Sequence, residues 1–370
     1  MKQKITRRAI LGAMPGSVLA AAVSKSPREQ ALPQAGEFVR FSDPATETPI
    51  VRLTTPAFNH VLPASGNRFV LLKPRVLYCA SDRVGGRMTP HQIDLRTGVV
   101  RQVAETAALD AALLFLDAPG KFLYLLDGTQ LGELPLTGKH EPRRIEVLAE
   151  GVTSFGIGAS RTELFVIRGD RLQIIRGDRL QLSGKDQPVL AEDAAGPCRV
   201  RPGGGGCLFS RAASDEDCEF WYASVDSARS KPVMLARGRI SNPDWSADGG
   251  SLLFLRDVPK NSVSVAELRE VKPEERVERC VAATSQFATF SANGNDSVFV
   301  GASKSKAQPN VILLLRETRR ELTLCEHRSS KPSAVRPAFS PDSRRIYFES
   351  DREGKSAIYS VNVEQLVEPT

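Results

Sequence analysis

Histidine is scarce in this chain of 370 residues. Its four copies, His60, His91, His140 and His327, never stand at His-x-His or His-Glu-x-x-His spacing. No short segment therefore delivers two imidazoles to one metal ion. The six cysteines form no Cys-x-x-Cys pair, which removes the common zinc and redox motifs as well. A Gly-x-Ser-x-Gly nucleophile elbow is missing. The four-glycine run Gly203 to Gly206 lacks the Lys-Ser or Lys-Thr that completes a phosphate loop, and reads as a hairpin turn. Charged residues make up 25% of the chain with both signs interspersed, and no basic stripe carries interleaved aromatics. Nucleic acid is thus not an expected partner, and neither a metal site nor a cofactor is expected from these patterns.

The chain begins with the order of a targeting signal. Met1 to Arg8 is basic, Ala9 to Ala22 is apolar and small, and Ala20-Ala21-Ala22 offers a cleavage site. The apolar stretch carries Gly12, Pro15 and Gly16 and is too short to span a bilayer as a helix. Thr6-Arg7-Arg8-Ala9-Ile10-Leu11 resembles the twin-arginine export signal. Residues 1–22 are expected to be a removable signal and 23–36 a polar, flexible leader. The mature chain is then periplasmic or secreted, with no membrane span.

Beyond the leader the dominant feature is self-similarity. Pro337-Ala338-Phe339-Ser340-Pro341-Asp342 leads into Arg345-Ile346-Tyr347-Phe348, and Pro243-Asp244-Trp245-Ser246-Ala247-Asp248 leads into Leu252-Leu253-Phe254. Each reads as a short strand, a turn whose Ser and Asp side chains bond the local backbone, and an apolar strand ending in an aromatic. The strand aromatics Tyr78, Tyr124, Phe165, Phe209, Phe254, Phe299 and Phe348 recur about every 45 residues, the length of a four-stranded propeller blade. The expected fold is all-β: one propeller domain over residues 37–365, seven-bladed rather than six- or eight-bladed. Each unit adds two outer strands; Val147-Leu148-Ala149 and Leu322-Thr323-Leu324-Cys325 read as fourth strands. The Arg-Gly-Asp runs at Arg168 and Arg176 read as hairpin turns. Too little chain follows Val361 for a fourth strand in the last unit. Residues 49–54, which have that character, are expected to pair there and close the ring.

The Ser-Pro-Asp, Ser-Asp-Arg-x-Gly and Ile-Tyr series of these units resembles the TolB-type propeller repeats, and the order of segments is most similar to the oligogalacturonate lyase propellers. That resemblance implies a central funnel in which His and Gln side chains hold a metal for β-elimination from pectin fragments. The family's last blade carries a His-Pro-His-Pro-Ser-Phe stretch. Here the matching stretch is Ala334-Val335-Arg336-Pro337-Ala338-Phe339, with Lys331 where the family places Gln. Arg has no lone pair to offer a metal.

Residues near the starts of innermost strands commonly rim a propeller funnel. By that register His60, Arg199, Asn242, Gln286 and Arg336 are the candidate ligand-binding residues, two arginines and two amides suiting a carboxylate or a sugar. His60 is the one candidate base; no catalytic residue is otherwise expected. Asp82, Asp257 and Asp351, just after second strands, are expected to bond turn amides. Cys198, Cys207 and Cys218 stand close in sequence, but simple hairpin registers set none opposite another, so most cysteines are expected as buried thiols. The expected function is a monomeric binding module that grips an envelope protein or an oligosaccharide at one face. The alternative is a lyase-like, carbohydrate-active enzyme with a remodelled site.

Overall fold

The second strand of each repeat holds the densest apolar sequence, and its ring is the anchor of each blade. Tyr78, Tyr124, Phe165, Phe209, Phe254, Phe299 and Phe348 are all buried. The computed structural model describes residues 36–370 apart from Ser65, Asn67, Ala118, 137–142, 145–150, 159–162, 177–187, 226–230, 261–262, Ser285 and Pro369. Val147 to Ala149, the second Gly-Asp turn, His140 and the whole export signal lie outside the described residues. Those described fold as seven antiparallel sheets around one ring, a seven-bladed propeller.

Blade 1 comprises His60–Val61, Val70–Leu71, Val76–Ser81, Thr89–Asp94 and Val100–Gln102. Blades 2 and 3 occupy residues 115–144 and 152–191. Blade 4 is Ala195–Val200, Gly206–Ala212, Cys218–Ser224 and Val233–Gly238; blade 5 is Ile240–Trp245, Leu252–Lys260, Val263–Val271 and Glu278–Thr284. Blade 6 spans 287–326. Blade 7 takes Ala338–Phe339, Arg345–Ser350 and Ala357–Asn362 from the C-terminus. Its outer strand is Pro49–Arg52, paired as Ile50↔Val361, Val51↔Ser360 and Arg52↔Tyr359. Val39–Ser42 adds a fifth strand outside that one, with Phe41 opposite Ile50. This last strand is mostly exposed and has no counterpart in the repeat.

Both faces of a blade are buried because side chains alternate between its two neighbours. Among the described residues the apolar core accordingly divides into seven clusters, one at each seam between adjacent blades. The seam of blades 6 and 7 joins Val300 and Leu313 to Phe348 and Tyr359, with Ile50 of the N-terminal strand among them. Tyr359 stacks on Phe348, ring centroids 5.5 Å apart.

Two local features shape the channel. Register shifts interrupt the pairing of the innermost strands of blades 3 to 6; such bulges bend a strand and re-aim its side chains. In blade 1 the innermost strand is split, and the segment between its halves leaves the sheet. Gly66 in that segment has φ +79°, and a Cβ there would fall 2.3 Å from Oδ1 of Asp244 on blade 5. Gly66 thus reaches from blade 1 to blade 5, and glycine is the residue that lets the backbone approach the carboxylate so closely.

The aspartates after second strands tie down incoming connections rather than their own hairpins. Asp82 accepts hydrogen bonds from the Asn59 backbone and side-chain nitrogens at 2.8 Å each. Asp351 accepts from the Ser330 backbone N–H at 2.7 Å and from its hydroxyl. Asp257 pairs with Lys304 at 2.7 Å.

Candidate functional site

Five residues near the starts of innermost strands were the sequence candidates, and the fold places them in different environments. His60 is 0% exposed, and neither ring nitrogen has a hydrogen-bond partner among the described residues. Its backbone N–H donates to the Ser356 carbonyl of blade 7 at 2.7 Å, so it belongs to the seam of blades 7 and 1. Burial, assisted by the Arg83 charge, pushes its pKa down to about 4. An imidazole so enclosed is neutral and out of reach of a substrate.

Asn242 sits in a bulge with φ 51°. Its Nδ2 donates to the Ala288 carbonyl of blade 6 at 3.0 Å, a bond between blades. Gln286 Oε1 accepts from the Ser303 hydroxyl at 3.3 Å. Arg336 pairs with the buried Glu349 carboxylate at 3.6 Å. Glu349 also accepts from the Leu62 backbone N–H. Burial drives Glu349 up to about 7, against the pull of Arg336. Arg199 alone of the five lines the central chamber.

That chamber encloses about 540 Å³. It sits toward the opposite mouth, among the turns that join innermost to second strands: Asp117, Gly158, Pro202, Ser246, Asn293 and Ser340 border it. Phe115, Phe155, Trp245 and Phe339 give it aromatic wall. Trp245 is fixed by its Nε1–H, which donates to the Arg199 carbonyl at 3.0 Å. Arg201 lies over the Trp245 ring, 5.7 Å from its centroid, and is held by Glu274 at 2.8 Å.

The charges in the chamber are tuned by burial. Desolvation raises Asp244 to about 6, opposed by the Arg199 guanidinium and reinforced by Asp296. Desolvation also raises Asp296. One Asp296 oxygen accepts from the Ala247 backbone N–H at 2.8 Å; the other has no hydrogen-bond partner among the described residues. The chamber therefore combines apolar faces with three arginines, Arg68, Arg199 and Arg201, and three carboxyls, Asp117, Asp244 and Asp296.

Asp244, Trp245 and Phe339 are site residues that the sequence marks only as parts of the repeat, and Asp296 is one that it does not single out. Their signal is positional: each stands within a few residues of the first turn of its unit, where innermost strands end against the channel.

No protein-family model matches the chain, and no curated protein matches it. Solved structures match in fold. An oligogalacturonate lyase in complex with manganese superposes with a TM-score of 0.78 at 18% identity, covering 89% of this chain and 96% of that one. The oligogalacturonate lyase of Vibrio parahaemolyticus gives 0.72 at 16% identity, over 89% and 97%. Kuenenia stuttgartiensis hydrazine synthase gives 0.57 at 11% identity, over 80% and 95%. At such identities the likeness is one of architecture, and the chain shares the seven-bladed propeller fold of the oligogalacturonate lyases.

Proposed function

We propose that the protein is an exported binding propeller that takes an acidic oligosaccharide into its central chamber and does not cleave it. The observation that carries this reading is the meeting of Arg199 with Asp244 between aromatic walls. A sugar ring offers an apolar C–H face for Trp245 or Phe339, hydroxyls for Asp244 and Asp296, and, in a uronate, a carboxylate for Arg199.

Cleavage by β-elimination needs a base at the C5 proton and a cation that stabilises the carboxylate as charge develops. The resemblance implies a metal for the second task, and the residues present do not fit one. Ala334 and Arg336 stand where it implies histidines, and Arg336 is itself a cation held by Glu349. Among the described residues no three His, Cys, Asp or Glu side chains converge as metal ligands.

Trp245 is one of two tryptophans and lines the chamber, so its fluorescence reports occupancy. Titration with oligogalacturonates should quench it, and Arg199→Gln should weaken binding by at least about tenfold through loss of one charge-assisted pair. No unsaturated uronate should form, with or without added manganese. Metal-dependent appearance of that product would overturn the reading in favour of a lyase. Absence of any sugar binding would turn it toward a protein ligand.

The export half rests on the basic, apolar and small-residue order of Met1 to Ala22. Replacing Arg7 and Arg8 by Lys should leave the precursor in the cytoplasm. Normal export of that variant rules out the twin-arginine route, and full-length cytoplasmic protein in the native host rules out export itself.

A further inference from the structure

We propose that Cys198 and Cys207 form a disulfide bond that cross-links the two inner strands of blade 4. Their sulfurs lie 2.9 Å apart, closer than unbonded sulfurs rest, in a buried setting. All six cysteines are within the described residues, and no other two sulfurs come into bonding distance.

The register explains both why the pair forms and why strand counting misses it. Arg199 faces Leu208 and Val200 faces Cys207, so Cys198 and Cys207 are diagonal neighbours on one face. Diagonal residues in a regular ladder stand about 7–8 Å apart at Cα, beyond the usual span of a disulfide. The pairing is interrupted between Ala195 and Arg199, and this break lets Cys198 lean toward its neighbour. Closure from 2.9 Å to a bond of about 2.05 Å asks for side-chain adjustment alone.

The reduced pair is also accommodated. Cys207 Sγ donates to the Leu208 carbonyl at 3.1 Å, and Cys198 Sγ to the Phe165 carbonyl at 3.8 Å. The oxidation state is therefore set by what the chain meets while folding. Cys207 is 0% and Cys198 6% exposed in the seam with blade 3, so the bond closes where an external disulfide meets the hairpin before blade 3 covers it, and a chain folded in a reducing compartment keeps both thiols. The oxidant is an external disulfide. The Cys198 thiolate attacks one of its sulfurs and expels one thiolate. The Cys207 thiolate then attacks the mixed disulfide at Cys198 and expels the second. Two protein thiols lose two protons and two electrons, and the external disulfide becomes two thiols.

The test is refolding of the mature, fully reduced chain in a mixture of reduced and oxidised glutathione, then alkylation under denaturing conditions. Four of the six cysteines should be alkylated. Trypsin cuts after Arg199, the Arg201–Pro202 bond being resistant, so the bond should appear as two peptides joined through Cys198 and Cys207. The melting temperature should rise by about 3–5 °C over the reduced protein, as expected for a short closed loop. The Cys198→Ser/Cys207→Ser variant should refold with four thiols and show no glutathione-dependent rise. Six alkylated cysteines in wild type, or a bond to another cysteine, would overturn the proposal.

Discussion

A chain lacking residues up to Thr55 should lose cooperative folding, or melt more than about 15 °C below the full protein. The segment removed joins three blades. In blade 7, Ile50 is buried against Phe348 and Val361, Leu53 donates its N–H to the Ile358 carbonyl at 2.7 Å, and Thr54 Oγ1 accepts from the Ile358 N–H at 3.0 Å. In blade 6, the Thr46 hydroxyl donates to the Leu324 carbonyl at 2.7 Å, and Asp43 accepts from the Glu326 N–H at 3.1 Å. In blade 1, Glu37 accepts two hydrogen bonds from Arg83, at 2.7 and 2.9 Å. Truncating one buried aliphatic costs about 2–5 kcal/mol, and a whole domain has about 5–15 kcal/mol to lose. Deletion also exposes the Ala357–Asn362 edge to pairing with other chains. Ile50→Ala alone should cost about 3 kcal/mol in urea unfolding. A truncated protein melting within about 5 °C of the full one would show that the ring closes without the strand.

The second large effect concerns pH. His60 and His327 are buried and neutral, each with a pKa pushed down to about 4 by desolvation. His327 is fixed in that form: Nδ1 accepts from the Ser329 N–H at 3.0 Å while Nε2–H faces the Ser303 carbonyl at 3.3 Å. With folded values below the unfolded one, the unfolded chain takes up protons first as pH falls below about 6.5. Stability from the histidines is full above that point and is lost toward pH 4. Glu349 and Asp244, raised to about 7 and about 6, act in the opposite sense. Their contribution is full below the unfolded carboxyl values and is lost as pH rises through the folded ones. The two sets act against each other between pH 4.5 and 6.5. Glu349→Gln removes one compensating carboxyl and keeps an oxygen for the Leu62 N–H. That variant should lose about 2 kcal/mol more than wild type on going from pH 6.5 to 4.5, measured by urea unfolding. Parallel profiles would show that Glu349 ionises as an ordinary exposed carboxyl does.

The repeat was readable because its strongest constraint is local. A second strand buried on both faces must be apolar throughout, as in Leu164-Phe165-Val166-Ile167, and the turn before it needs Ser, Asp, Asn or Gly. Blade 1 was the faintest copy since its innermost strand is reduced to His60–Val61 and Val70–Leu71. The chamber was harder to see for two reasons. Its residues differ in type from blade to blade, so Phe115, Arg199 and Asp244 share a location without sharing a pattern. In addition, the register shift between Ser241 and Asp244 defeats counting by twos. Asn242 and Asp244 would share a face in an unbroken strand, yet one bonds across to blade 6 and the other lines the chamber. His60 shows the same limit: a residue at the start of an inner strand can turn into a seam instead of the channel.

The contact of Gly66 on blade 1 with Asp244 on blade 5 makes two distant parts of the ring depend on each other. A Cβ at residue 66 would fall 2.3 Å from Oδ1 of Asp244, so any other side chain there would push the carboxylate out of its place in the chamber wall. A change in blade 1 would thus be felt by a buried group on blade 5.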